Sequence, residues 1–303
     1  MYQIIRTPMK GSLEEKNGHD ILMQESVKLT DGTELEYLTF PLLSGLDCVK
    51  HLFSTRLGGV SEGMFSSMNL SFTRGDDKES VLENYRRIAE ALSLETKKIT
   101  PKDIVCSDQT HTTNIRIVTK EDAGKGVVKE RDYSDIDGLI TKEKGLVLAT
   151  FYADCVPLYF VDPVKEVIGL SHSGWKGTAK RMGQCTVEKM REQFGSRPED
   201  IYAAIGPSIC QECYEVSEDV AQAFSETFQK DEKILKDIMY QKQNGKYQLD
   251  LWKANLYILL QAGLKREHIQ VTDICTCHNP EYLFSHRKSN GKRGNLGAFL
   301  YLV

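Results

Sequence analysis

The sequence lacks the features of membrane, secreted and nucleic-acid-binding proteins. None of its apolar runs approaches the length needed to cross a bilayer, and residues 1–20 lack the hydrophobic core of a signal peptide. A formal net charge of -4 over 303 residues provides no positive field that would attract a nucleic acid. We therefore expect a cytoplasmic protein that binds neither a membrane nor a nucleic acid and acts on a small molecule.

The sequence also has too few cysteines for a disulfide scaffold. Eight cysteines in a chain of this length stay thiols in a reducing cytosol. Two motifs, Cys210-x-x-Cys213 and Cys275-x-Cys277-His278, could together supply four zinc ligands. Structural zinc sites usually pair two tight turns, whereas here a Pro-Ser-Ile stretch precedes the first motif and an apolar strand leads into the second. We therefore predict buried free thiols at these motifs.

No linker rich in proline or serine and no repeat divides the chain. We predict one main domain over residues 41–303, with mixed sheet and helices on its faces. Residues 1–40 are predicted to form an N-terminal extension, loosely packed at 9–20 and ending in a hairpin at 27–37 around Asp31-Gly32. Residue spacing predicts helices at 78–93, 176–194, 216–228 and 252–262, and strands at 48–53, 103–106, 115–118, 146–152, 167–170, 201–205, 268–275 and 298–303.

A cysteine and a histidine follow two of the predicted strands. Cys155 lies in the segment YADCVP (152–157), and His172 lies in the segment LSHSGWKGT (170–178). Strand ends hold reactive side chains at fixed separations in α/β proteins, and His111 is a third candidate on a predicted loop. Three such donors with one open position suit a catalytic zinc ion, with Asp154 available to shuttle a proton. Without a metal, Cys155 and His172 could form a nucleophile and base pair.

Three cations adjoin glycines or aromatic residues. Arg56 lies in a glycine-rich loop at 54–63, Lys176 follows Gly174-Trp175 at a predicted helix start, and Arg287 follows an aromatic segment at 282–284. Glycines permit close backbone approach to a ligand, and cations with backbone amides suit an oxyanion. We expect Arg56, Lys176 and Arg287 to hold phosphate or polar groups of a substrate.

Several separate motifs together resemble one known family. They are Ser54-Thr55-Arg56, Gln109-Thr110-His111, Asp137-Gly138, ADCVP at 153–157, HSGWKG at 172–177, Ile205-Gly206-Pro207 with Tyr214-Glu215-Val216, and Phe284-Ser285-His286-Arg287. In this order, over roughly residues 48–302, they resemble the YfiH/YlmD laccase-domain family, whose members are described as purine nucleoside phosphorylases. One departure is visible. Many members carry Gly-Arg after the Ser-His-Arg motif, whereas this chain has Gly294-Asn295 with Arg293 before the glycine.

The resemblance implies a single α+β domain of layered mixed β-sheets flanked by helices, in the order α/β/β/α. It implies a zinc site formed by His111, Cys155 and His172, which match the family's QxH, ADCxP and HxGW positions. It also implies phosphorolysis of adenosine, inosine, guanosine and S-methyl-5'-thioadenosine, and hydrolytic deamination of adenosine to inosine. Purine nucleosides and phosphate would then be the partners, with no obligate protein partner evident.

Three other interpretations stay open. The family's older label suggests a copper oxidase of polyphenols, and a set of two histidines and one cysteine also binds blue copper. The sequence, however, has seven histidines and none of the His-x-His pairs common in multicopper oxidases. A cysteine hydrolase would use Cys155 as nucleophile and His172 as base. A partner-binding scaffold would have a closed structural metal site with four protein ligands.

Overall fold

The computed structural model describes residues 2–8, 21–229 and 231–303, and the stretch predicted to be loosely packed at 9–20 lies outside these ranges. The described strands are β1 (Met23–Lys28), β2 (Glu34–Thr39), β3 (Val49–Ser54), β4 (Ile104–Cys106), β5 (Ile115–Ile117), β6 (Gly138–Thr141), β7 (Val147–Tyr152), β8 (Val156–Asp162), β9 (Val167–Ser173), β10 (Tyr202–Ile205), β11 (Glu215–Val216), β12 (Met239–Gln241), β13 (Tyr247–Leu249), β14 (Ile269–Val271) and β15 (Leu296–Leu302). The described α-helices are α1 (Pro41–Ser44), α2 (Lys78–Leu92), α3 (Trp175–Ala179), α4 (Met182–Phe194), α5 (Glu218–Thr227), α6 (Glu232–Ile238) and α7 (Leu251–Gln261).

Two six-stranded sheets form the centre of the fold. The first has the strand order β1-β2-β3-β15-β7-β4, and the second has the order β14-β10-β8-β9-β6-β5. Most neighbouring strands are antiparallel, but β4 runs parallel to β7, β5 to β6, and β14 to β10. Both central sheets are therefore mixed, as predicted.

Side-chain alternation gives each sheet two buried faces. In β8, Leu158 packs with helices α4, α5 and α7, whereas its neighbour Tyr159 packs between the two sheets. In β15, Leu300 joins the same layer between the sheets, whereas Phe299 packs with α2. Because successive residues of a strand point to opposite faces, one short apolar run can serve both layers. The molecule is thus α+β with the layer order α/β/β/α, which confirms the prediction.

The predicted N-terminal hairpin extends the first sheet. Strands β1 and β2 pair antiparallel, and β2 pairs with β3, with Leu38 opposite Phe53. Gly32 turns the chain at a φ of 87°, which strongly favours glycine, and the Asp31 carboxylate accepts a hydrogen bond from the Thr33 N–H at 2.8 Å. The hairpin is therefore part of the main sheet, and a boundary at residue 40 stays a prediction.

Two predicted elements differ in the structure. The helix predicted at 176–194 is two helices, α3 and α4, because Arg181 between them adopts a left-handed conformation with φ 64°. The strand predicted at 268–275 ends at Val271, because the Thr272 hydroxyl accepts the N–H of Ile274 and turns the chain.

No helix in the described part of the chain is long and apolar enough to cross a membrane.

Candidate active site

The structure brings together the three residues predicted to bind zinc. Cys155 lies in the crossover from β7 of the first sheet to β8 of the second, and the pairing of β8 with β9 places Pro157 opposite His172. One donor atom from each of His111, Cys155 and His172 lies within 4.8 Å of the others. The Sγ of Cys155 is 3.9 Å from the Nε2 of His111, and the two histidine rings lie 4.9 Å apart between their centroids.

The backbone around these donors is strained. His111 has a φ of 67° and Asp154, next to Cys155, has a φ of 88°. Left-handed conformations at residues other than glycine cost about 1–3 kcal/mol and concentrate at functional sites. Gly174 faces the same cluster: an added Cβ would lie 2.8 Å from the Cδ2 of His111 and 3.1 Å from the Sγ of Cys155. The glycine of the HSGW segment is therefore required for the donors to approach one another.

A buried carboxylate fixes the histidines. Asp137 is fully buried, and it accepts a hydrogen bond at 2.7 Å from the Nδ1 of His172, which directs the Nε2 of that ring towards Cys155. Its two oxygens also accept the main-chain N–H groups of Thr110, His111 and Thr112 at 2.8 to 3.1 Å. Burial alone would raise the pKa of Asp137, but the hydrogen bond and charge of His172, with the backbone donors, lower the pKa to about 2. The sequence motif includes Asp137, yet sequence reasoning assigned it no role.

The charges in the cluster favour the ligand form of the cysteine. Burial raises the pKa of Cys155, but the charge of His172 and hydrogen bonds from both histidines outweigh it and lower the pKa to about 6. Burial lowers the pKa of His172, and the Cys155 thiolate and the Asp137 carboxylate outweigh this and raise the pKa to about 9. Cys155 is therefore a thiolate at neutral pH, the form that binds metals and also the form that acts as a nucleophile.

The donor set fits a metal ion. Two imidazoles and one thiolate are nitrogen and sulfur ligands typical of zinc and copper, and a carboxylate hydrogen-bonded to the far nitrogen of a histidine is a common support for such ligands. Among the described residues no fourth histidine, cysteine or carboxylate joins this group. The cluster therefore offers three donors to an ion, the number found in catalytic metal sites, rather than a closed set of four.

The three donors face a cavity of about 1010 Å³, which is large enough for a nucleoside with an anion. Aromatic side chains line it, including Phe72, Tyr133 and Phe151. Flat aromatic rings of this kind stack well on a heterocyclic base.

Positively charged side chains also line the cavity, and Arg293 is one of them. The Nε of Arg293 is buried without a hydrogen-bond partner, while its Nη1 donates to Gly294 O and contacts the Asn295 amide. Burial lowers the pKa of Arg293 to about 10, so it stays charged at neutral pH. Arg74 also lines the cavity, and its Nε donates to Arg293 O at 3.2 Å. These two cations offer an anion site beside the cluster.

The three cations predicted from the sequence do not line this cavity. Arg56 donates to the main-chain oxygens of Ser66 and Pro280 at 2.9 and 2.7 Å. Lys176 is exposed, with its Nζ over the ring of Trp175. Phosphate binding by Arg56 and Lys176 therefore stays a prediction. In the structure, the Arg56 side chain links the loops that contain Ser66 and Pro280.

Arg287 and Asp154 do not line the cavity either. Arg287 donates through its side chain to Cys213 O and Glu215 O, both at 3.0 Å. The carboxylate of Asp154 accepts the Arg287 N–H at 2.6 Å and the Thr276 hydroxyl at 2.6 Å. Phosphate binding by Arg287 and proton transfer by Asp154 stay predictions, since the observed bonds of both residues position the loop that carries Cys155.

Comparison with known proteins shows which family the chain belongs to. A family model described as "Multi-copper polyphenol oxidoreductase laccase" matches residues 50–303. The chain belongs to this family. Among the relatives of this laccase-domain chain, the purine nucleoside phosphorylase YlmD of Bacillus subtilis is 39% identical over 253 residues, which cover 82% of this chain and 86% of the relative. Adenosine deaminase RL5, from an unknown prokaryotic organism, is 32% identical over 272 residues, which cover 88% and 98% respectively.

Solved structures of the laccase-domain family share the fold. The crystal structure of YlmD from Geobacillus stearothermophilus superposes with a TM-score of 0.82 at 35% identity, covering 93% of this chain and 99% of that one. The Bacillus licheniformis protein YfiH has a TM-score of 0.80 at 33% identity, covering 88% and 96%. Because the curated relatives carry enzyme names over nearly their full length, this laccase-domain protein is an enzyme.

Proposed function

We propose that this protein is a zinc-dependent purine nucleoside phosphorylase that also deaminates adenosine. Its substrates would be adenosine, inosine, guanosine and S-methyl-5'-thioadenosine, with phosphate as the second substrate. The observation that carries the proposal is a single cavity in which aromatic side chains, arginines and the cluster of His111, Cys155 and His172 face one another. The names of the relatives support the same reaction class.

The cavity offers separate places for the parts of a nucleoside. The purine would stack on rings such as Phe72 and Phe151, because aromatic faces accept any purine with little dependence on its exocyclic group. Phosphate would bind at Arg293, whose Nε lacks a partner, with Arg74 adding a second positive charge. This arrangement would place the anion and the base on either side of the sugar.

His111, Cys155 and His172 would hold the zinc ion. A multicopper centre is disfavoured because, among the residues that the structure describes, no histidine other than His111 and His172 lines the cavity. When bound, zinc would supply a Lewis acid that polarises a substrate oxygen or lowers the pKa of a water to roughly 7. Asp137 pairs with the Nδ1 of His172, so Nε2 is the nitrogen of that ring left to bind the ion.

Two reactions are proposed for this site, phosphorolysis and deamination. In phosphorolysis a phosphate oxygen, held by Arg293, forms a bond to the anomeric carbon of the sugar while the bond to the purine nitrogen breaks. The purine leaves with that electron pair and takes up the proton that dihydrogen phosphate gives up, which gives the free base and a sugar 1-phosphate. In deamination a water adds to C6 of adenine, and the amino group leaves as ammonia after protonation, which gives inosine.

A product assay tests the proposal. Zinc-replete protein is incubated with a panel of purine nucleosides, each with and without phosphate, and the products are identified by chromatography. We expect free base and sugar 1-phosphate only when phosphate is present, and inosine from adenosine in either case. No turnover of any nucleoside by zinc-replete protein would refute the proposal.

One further function has a specific observation in its favour. The lowered pKa of Cys155 beside His172 is also what a cysteine hydrolase requires. Metal analysis separates the cysteine hydrolase from the zinc enzyme, since a nucleophilic cysteine is active without zinc and a site that depends on zinc is not.

A copper polyphenol oxidase would instead contain stoichiometric copper with a visible thiolate band. A cytoplasmic location stays a prediction from the sequence.

A further inference from the structure

A second cluster of metal-binding side chains lies outside the cavity. The sequence predicted free thiols at Cys210, Cys213 and Cys275, but the fold brings these thiols and a ring nitrogen of His278 within 4.8 Å of one another. Cys210 and Cys275 are buried, whereas Cys213 and His278 are half-buried. The two motifs are far apart in sequence, and the parallel bridge between Ser208 and Cys275 joins them.

We propose that Cys210, Cys213, Cys275 and His278 bind one structural zinc ion, which the established family chemistry does not require. Three thiolates and one imidazole are a common ligand set of structural zinc. With Zn–S bonds of about 2.3 Å, the corners of a tetrahedron lie about 3.8 Å apart. The four donors therefore need to move by less than about 1 Å to surround one ion. The spacing is too small for a cluster of several metal ions.

The contacts around the thiols match those of a metal site. The N–H of Cys210 points at the Sγ of Cys275 at 3.3 Å, a bond that stabilises a thiolate. The Sγ of Cys210 lies 3.9 Å from the Nδ1 of His278, and the Cys213 thiol contacts those of Cys210, Cys275 and Cys277. The Thr7 hydroxyl, 3.1 Å from the same ring nitrogen, can turn away by a change of rotamer.

The ion would brace the loop that carries Cys155. Both motifs contact Asp154: Thr276, between Cys275 and Cys277, donates to its carboxylate, and Ile209 N–H donates to its main-chain oxygen at 3.0 Å. Arg287 adds a third link, because it bonds both Cys213 O and the Asp154 carboxylate. Asp154 has a left-handed backbone that needs such support. The second site is thus a positioning element rather than a catalytic one.

The test is zinc content of four proteins after loading with zinc and desalting: wild type, Cys155→Ser, Cys213→Ser and the control Cys48→Ser. Cys48 is a half-buried thiol that belongs to neither cluster. We expect about two zinc ions per chain in the wild type and the control, and one in each of the other two variants. Wild type with at most one zinc, unchanged by Cys213→Ser, would overturn the proposal, as would iron with sulfide or a disulfide between these cysteines.

A second measurement needs no variant and so does not depend on the folding of Cys213→Ser. Native wild-type protein is alkylated with and without a chelator, and each modified cysteine is located by peptide mass spectrometry. Cys213 is half-buried and should be protected until zinc is removed, whereas Cys48 should react at the same rate in both samples. Equal alkylation of Cys213 before and after chelation would refute the site, whatever reaction the enzyme catalyses.

Discussion

Asp137→Asn should weaken the candidate metal site more than the same change at a nearby exposed carboxylate. The Asp137 carboxylate is fully buried and accepts hydrogen bonds from the Nδ1 of His172 and from the N–H groups of Thr110, His111 and Thr112. An asparagine has the same shape, but only one of its two terminal atoms accepts hydrogen bonds. Its amino group would therefore face donors, and at least one N–H would lose its partner.

The magnitude follows from these bonds. A hydrogen bond to a charged group contributes about 1.5–3 kcal/mol, and a buried donor without a partner costs about 1–3 kcal/mol. We expect Asp137→Asn to lower the free energy of unfolding of the zinc-free protein by about 3 kcal/mol. Because His172 would no longer be held in one tautomer, zinc affinity should fall about 10- to 100-fold.

The matched control is Asp135→Asn. Asp135 lies two residues away, is exposed, has a φ of 57° that asparagine tolerates, and accepts a hydrogen bond from the Thr110 hydroxyl. Urea unfolding of both zinc-free variants and zinc competition with a chelator measure the two effects. If Asp137→Asn stays within about 0.5 kcal/mol of Asp135→Asn and binds zinc equally well, Asp137 does not organise the site.

Three more predictions follow from buried polar groups. Arg293→Ala should raise the apparent phosphate KM about 10-fold or more, whereas Arg56→Ala should leave that KM unchanged and lower only the stability of the fold. The reverse pattern would support the prediction that Arg56 binds phosphate. His51 is buried, its Nε2 accepts the N–H of Phe40, and burial lowers its pKa to about 3. The unfolded chain takes up this proton at about pH 6.5, so the contribution of His51 to folding stability is full above that pH and is lost as the pH falls. Between pH 7 and 5 the free energy of unfolding of the wild type should fall by about 2 kcal/mol more than that of His51→Gln. Equal losses would contradict this reasoning. Burial raises the pKa of Asp250, which caps helix α7, to about 6. Asp250→Asn should therefore keep or raise stability at pH 7.5 while Asp250→Ala lowers it by about 1 kcal/mol, and equal destabilisation in urea melts would contradict the reasoning.

The central strands could be predicted because they are short apolar runs bounded by polar or glycine-containing turns. Strands β7 and β9 match the runs at 146–152 and 167–170 closely. Strand β8 was not predicted, although it links the two, because Pro157 near its start argues against a strand. In the structure Pro157 is the second residue of β8 and lies opposite His172. Local sequence rules therefore found the strands beside Cys155 and His172 but not the one between them.

Residue roles were harder to predict than positions. The cluster of His111, Cys155 and His172 could be predicted from motifs, whereas the choice of cations depends on which side chains the fold leaves without partners. Arg56 has the glycine-rich neighbourhood of an anion site, yet main-chain oxygens occupy its guanidinium. Arg293 stood out in the sequence only as a displaced arginine, yet its buried Nε has no partner. Satisfaction of hydrogen bonds is a property of the folded chain, so proximity to glycine alone could not distinguish an arginine bonded to main-chain oxygens from one with a buried unpaired nitrogen.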